Sequence, residues 1–165
     1  LMWSWRKKMK NVTKIIGVVL ALFLATGCSM QSMMVEERVS PYGLEETISK
    51  IIANAKAIGW VSPGVKNMNK SVKKHGGADI GGPVRIVELC NADHASNILK
   101  EDEGRYASVL MPCAIGVYTK TDGKTYVVNM RAARMGSMMG GVVADVMEVV
   151  DVDQQKILEF LEDTE

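Results

Sequence analysis

The chain has 165 residues, 47% of them hydrophobic and 24% charged, and its 20 basic residues balance 19 acidic ones to a formal charge of +1. That near-neutrality comes from the first 27 residues, which hold five basic side chains (Arg6, Lys7, Lys8, Lys10, Lys14) and no acidic one, so the remainder carries 15 basic against 19 acidic residues. A mildly acidic domain without interleaved aromatic and basic residues exerts no general pull on nucleic acid, and residues 28–165 suffice for one hydrophobic core.

Lys10 and Lys14, the apolar run 15–25 and the small-residue exit Ala25-Thr26-Gly27-Cys28 form the three parts of a bacterial lipoprotein leader. The run of eleven is shorter than the roughly 20 apolar residues a spanning helix needs. The expectation is a signal peptide over 1–27, cleaved so that Cys28 becomes an acylated N-terminus holding the protein on a membrane. Acylation sites usually place a branched residue three before the cysteine; here Ala25 stands there, with Leu24 one step further out. Met9 opens a leader of standard length by itself, so residues 1–8 read as a mis-called start or a cloning remnant. Ser29 after Cys28 permits transfer to an outer membrane. The expected location is extracytoplasmic and membrane-anchored, facing the periplasm or on the outer membrane of a double-membraned bacterium.

Residues 28–40 read as a polar tether or a first strand, followed by the turn cluster Ser40-Pro41-Tyr42-Gly43. Leu44, Ile48, Ile51, Ile52, Ala55 and Ile58 recur at helical spacing and predict an amphipathic helix ending at Gly59. Trp60-Val61 opens an extended segment broken by Pro63-Gly64, and a short basic helix follows around 69–75. The glycine-rich stretch 76–83 matches neither a phosphate loop nor a dinucleotide fingerprint and reads as a connection. Residues 84–90 are strand by branched content, and Asn91 is placed to cap a helix carrying Ala92, Ala95, Ile98 and Leu99. Segments 113–119 and 124–130 flank Asp122-Gly123, a strong hairpin signal. Met135, Met138, Met139, Val142, Val146 and Val149 lie on one connected helical stripe, and a last helix begins at Gln155 after Asp151-Val152-Asp153. This order of elements predicts an α+β two-layer sandwich with helices on one sheet face.

Glu88-Leu89-Cys90-Asn91, Met111-Pro112-Cys113-Ala114-Ile115-Gly116-Val117-Tyr118, Asp122-Gly123-Lys124-Thr125-Tyr126-Val127, and Met138-Met139-Gly140-Gly141 with Ala144-Asp145-Val146-Met147 together resemble the family called domain of unknown function 302. The resemblance spans roughly residues 42–149, and the domain is taken as 41–165. It implies a small α/β sandwich on an antiparallel sheet, and it assigns no activity.

The chemistry of interest lies in Cys90 and Cys113. A right-handed crossover over 91–112 would make their strands parallel and hold the two about 20 Å apart. Adjacent antiparallel strands, which the resemblance implies, put both at one end of the sheet, where a disulfide requires Cα atoms about 4.4–6.8 Å apart. Three readings of the pair stand. They are small buried residues, free or joined in a bridge that would add about 3 kcal/mol. Or Cys90, just before a helix, is a redox or sulfur-carrying thiol. Or Cys90, Cys113, His94 and Met111 form a soft metal site suited to copper(I).

Lys70, Lys73, Lys74 and His75 form a basic face read as solvated, and the methionines, Met147 included, read as core rather than as a thioether relay. Gly136, Gly140 and Gly141 point to close packing of that helical stretch against the sheet or a partner. With two histidines and no serine, histidine and acid in recognisable context, enzyme activity is not expected. The sequence reading is a lipid-anchored extracytoplasmic binding or carrier module with no cofactor identified. The alternative is a structural or partner-binding domain, homodimeric through a sheet edge or the methionine helix, whose cysteines are a stabilising disulfide or core residues.

Overall fold

Alternation of branched and polar residues over five short runs produces one antiparallel sheet in a computed structural model that describes residues 29–161. The expected leader and cleavage site, and Cys28, lie outside the described residues. The chain divides into two compact units, Leu1–Met33 and Met34–Glu165. The described part of the first is the start of a short helix, α1 (Ser29–Met34); the sheet and the helices after it belong to the second. Among the described residues no helix is long and apolar enough to cross a membrane.

The strands are β1 (Val35–Ser40), β2 (Val61–Asn67), β3 (Val84–Cys90), β4 (Cys113–Thr119) and β5 (Thr125–Met130), in the order β1-β5-β4-β3-β2. Every neighbouring pair is antiparallel. Helices α2 (Leu44–Ala57), α3 (Met68–Lys74), α4 (Ala92–Leu99), α5 (Ala132–Met139) and α6 (Gly141–Ile157) join them, with 3₁₀ segments at Asp102–Leu110 and Glu159–Leu161. The α+β sandwich and its antiparallel sheet are therefore present. Val87, Leu89, Ile115, Val117 and Val127 point from alternate strand positions into one core with Ile48, Ile51 and Ala55 of α2 and Val143, Met147, Val150 and Ile157 of α6. Burying each such side chain contributes about 1.5–3 kcal/mol against exposure. Ser40 and Thr47 share a buried 2.6 Å hydrogen bond that ties β1 to α2.

Of the two readings of residues 28–40, the first strand is present from Val35 onward: edge strand β1 lies in register with β5 from Val35 opposite Met130 to Ser40 opposite Thr125. Three other local features differ from the sequence reading, each for a physical reason. Pro63 does not stop β2; the register shifts between Val61 and Gly64, the bulge by which an edge strand absorbs a residue without a ladder donor. The methionine and valine stripe is two helices, because Gly140 (φ 73°) and Gly141 (φ 55°) turn the chain in the left-handed region that glycine enters freely. Helix α5 folds back on α6 so closely that a Cβ on Gly136 would sit 2.5 Å from Met147 Cβ. Finally, α6 runs unbroken through Asp151-Val152-Asp153, since Val143, Met147, Val150, Gln154 and Ile157 bury one continuous stripe.

Candidate functional site

The end of β3, the start of α4, the start of β4 and one face of α6 enclose an apolar cleft of about 40 Å³, room for a few water-sized groups. Its walls include Cys90, His94, Met111 and Cys113, the four side chains that sequence reading grouped, together with Trp60, Val146 and Val150. The sheet explains why the two cysteines meet. Leu89 is the register partner of Cys113 across β3 and β4, so Cys90 lies one residue beyond that pair at the same sheet end. On its other side Cys90 pairs with Val61 of β2. The antiparallel arrangement holds and the parallel crossover does not. Both cysteines are free, half-buried thiols.

Burial pushes the Cys113 thiol up to about 11, and the neighbouring Cys90 adds to the shift. At neutral pH only about one Cys113 in ten thousand is then thiolate. Cys113 is therefore not an activated nucleophile in this state. The residue before it is Pro112, joined to Met111 by a cis peptide.

Asn91 caps α4, its Oδ1 accepting the backbone N–H groups of Asp93 and His94, and so fixes where His94 leaves the helix. The imidazole then meets Asp153 on α6, Nε2 lying 3.1 Å from Oδ2. Trp60, itself 2% exposed, donates its indole N–H to the same oxygen at 3.0 Å. The Trp60 and His94 rings stand 5.5 Å apart and tilted, and Lys156 lies 3.6 Å from the other carboxylate oxygen. Partial burial opposes ionisation of Asp153, but the hydrogen bonds from Trp60 and His94, with the charges of His94 and Lys156, outweigh it and hold the carboxyl below its ordinary value. Asp153 thus orients the histidine through Nε2 and leaves Nδ1 as the ring nitrogen it does not engage. A carboxylate on the far nitrogen is the arrangement that ordinarily supports a metal-ligating histidine. Even so, among the described residues no three of His, Cys, Asp and Glu come close enough to hold a metal ion. The cleft can offer two thiols and a thioether to a small soft ligand, with the imidazole beside them.

Sequence reading missed Trp60 and Asp153. Asp153 follows Val146 by seven residues and Val150 by three, which places it on the α6 face that lines the cleft. Trp60 is the one tryptophan after residue 27. Met135, Met138 and Met139 lie on α5 and do not line the cleft; the core methionine Met147 does.

The family model of DUF302, a domain of unknown function, matches residues 36–163. No curated protein matches the chain. Among solved structures, the fold is similar to the crystal structure of an uncharacterized conserved DUF302 protein from Bacillus stearothermophilus. The TM-score is 0.67 over 77% of this chain and 97% of that one, at 20% identity, which speaks for the architecture alone. With the match covering the whole sheet except the first residue of β1, and nearly all of the helical layer, the chain belongs to the DUF302 family.

Proposed function

We propose that the protein is a lipid-anchored, extracytoplasmic binding module whose cleft takes a small soft ligand, copper(I) or reactive sulfur, through Cys90 and Cys113. The convergence of both thiols with Met111 and His94 on one apolar cleft is the observation that carries the reading. Two sulfur donors and a thioether match the preference of a soft cation. Binding at Cys113 displaces a proton from a thiol held near 11, so uptake strengthens as pH rises. The anchor rests on the leader pattern ending at Cys28.

The test is titration of the reduced protein with copper(I) against a colorimetric chelator. Uptake of about one equivalent that Cys113→Ser abolishes supports the reading; uptake unchanged in that variant refutes it. Labelled palmitate should be incorporated by the natural chain and not by Cys28→Ser. A second reading is favoured by the burial of Cys113: the pair fills space at the sheet end in a structural or partner-binding domain. On that reading Cys90→Ser lowers the melting temperature without loss of any ligand.

A further inference from the structure

On the other flank of the sheet, where β1 and β5 meet α5 and α6, a second recess of about 270 Å³ has a contrasting lining. Eight of its nine lining residues are polar or charged, Ala133 being the exception. The register explains the composition. Glu36 lies opposite Asn129 and Arg38 opposite Val127, so edge strand β1 places a carboxylate and a guanidinium on the inner sheet face. Arg131 and Arg134, at the end of β5 and on α5, add two more guanidiniums.

Much of the wall is already satisfied. Asp151 accepts the Ala133 backbone N–H at 3.1 Å and the Gln155 amide at 2.9 Å, and Glu36 stands 3.6 Å from Arg131. Asn129, 6% exposed, donates its amide to the Met130 carbonyl and to Gln154. Its Oδ1 is buried with no hydrogen-bond partner among the described residues, and so is Nε of Arg38. Natural folds seldom leave such atoms unpaired, because each has given up its water for nothing. Both orphan atoms belong to side chains of the recess wall, which carries three guanidiniums and two carboxylates, and a ligand reaches them only as those side chains shift to expose them.

We propose that this recess binds a small hydroxycarboxylate, its carboxylate held by Arg38 and Arg134 and its hydroxyl donating to Asn129 Oδ1. A single negative charge matches the net excess of one guanidinium. Predominantly polar walls favour a ligand with little hydrocarbon body. A fully ionised phosphate would meet Glu36 and Asp151 with a second negative charge and offer the buried acceptor little.

The experiment follows the Asn129 side-chain amide by NMR in the full-length protein titrated with L-lactate, propionate and inorganic phosphate. L-Lactate should shift it saturably below about 50 mM, and propionate, which lacks only the hydroxyl, about fivefold more weakly. Arg38→Gln should weaken lactate about tenfold. Arg134→Gln, at an exposed helix position, should act in the same direction. Equal binding of lactate and propionate, phosphate binding more tightly than either, or no saturable shift would each overturn the proposal.

Discussion

Replacing Asp153 by alanine tests the polar link behind the cysteine cleft. The change removes the acceptor of two hydrogen bonds, at 3.0 Å from Trp60 and 3.1 Å from His94. Trp60 is 2% exposed, so its indole N–H is left without a partner in a dry site, at a cost of about 1–3 kcal/mol. The His94 contact, with side chains 19% and 14% exposed, adds about 0.5–1 kcal/mol. The pair with Lys156 spans 3.6 Å to a side chain 56% exposed and adds little. The expected loss is about 1.5–4 kcal/mol, a fall in melting temperature of roughly 5–20 °C for a domain of this size. Trp60→Phe removes the donor itself, so in the double variant the orphan disappears and the two losses should fall short of additivity by about 1–2 kcal/mol. Circular dichroism is the suitable probe, because Trp60→Phe removes the domain's own tryptophan. The pH dependence has a fixed sign. The folded carboxyl is held below its ordinary 3.8, so its contribution is complete above that value and is lost as pH falls through the lower folded one. The gap between natural chain and variant should be constant from neutral pH to about 5 and narrow below about 4. Additive losses, or an Asp153→Ala protein that melts with the natural one, would refute the assignment.

Two further outcomes follow from packing and burial. Cys113, with its thiol held near 11 by burial, should alkylate with iodoacetamide about a hundredfold more slowly than an unburied cysteine at neutral pH. Mass mapping of the modified peptide checks this, and a fast-reacting Cys113 contradicts the buried geometry. Gly136→Ala places a methyl 2.5 Å from Met147 Cβ and 3.2 Å from Ala144 Cα, so urea melts should show about 1–3 kcal/mol lost, despite alanine's better helix propensity.

Much of this architecture was legible because local signals and tertiary structure agree. The strand at 84–90, the cap at Asn91 and the hairpin around Asp122-Gly123 each follow from residues adjacent in the chain, and each stands where expected. Grouping Cys90 with Cys113 needed strand direction, which came from family resemblance rather than from spacing. The split between α5 and α6 escaped because a helical stripe keeps its period across two glycines; only their backbone angles reveal the turn. Trp60 and Asp153, 93 positions apart, meet through a fold-back that no local pattern announces. The hydroxycarboxylate recess is more distant still from sequence, since it depends on β1 pairing with β5 and on two atoms being left without partners.

The outer strands have a bearing on assembly. One margin of the sheet carries Glu36, Glu37 and Arg38 in succession, and the other carries Pro63 and a kink. Charge on one rim and a missing amide on the other both discourage a neighbouring polypeptide from adding another rung. Crowding of copies would therefore not by itself nucleate ribbons. Surface outside the ladder, such as the helical face where Met138 stands 63% exposed, is better suited to any pairing of copies.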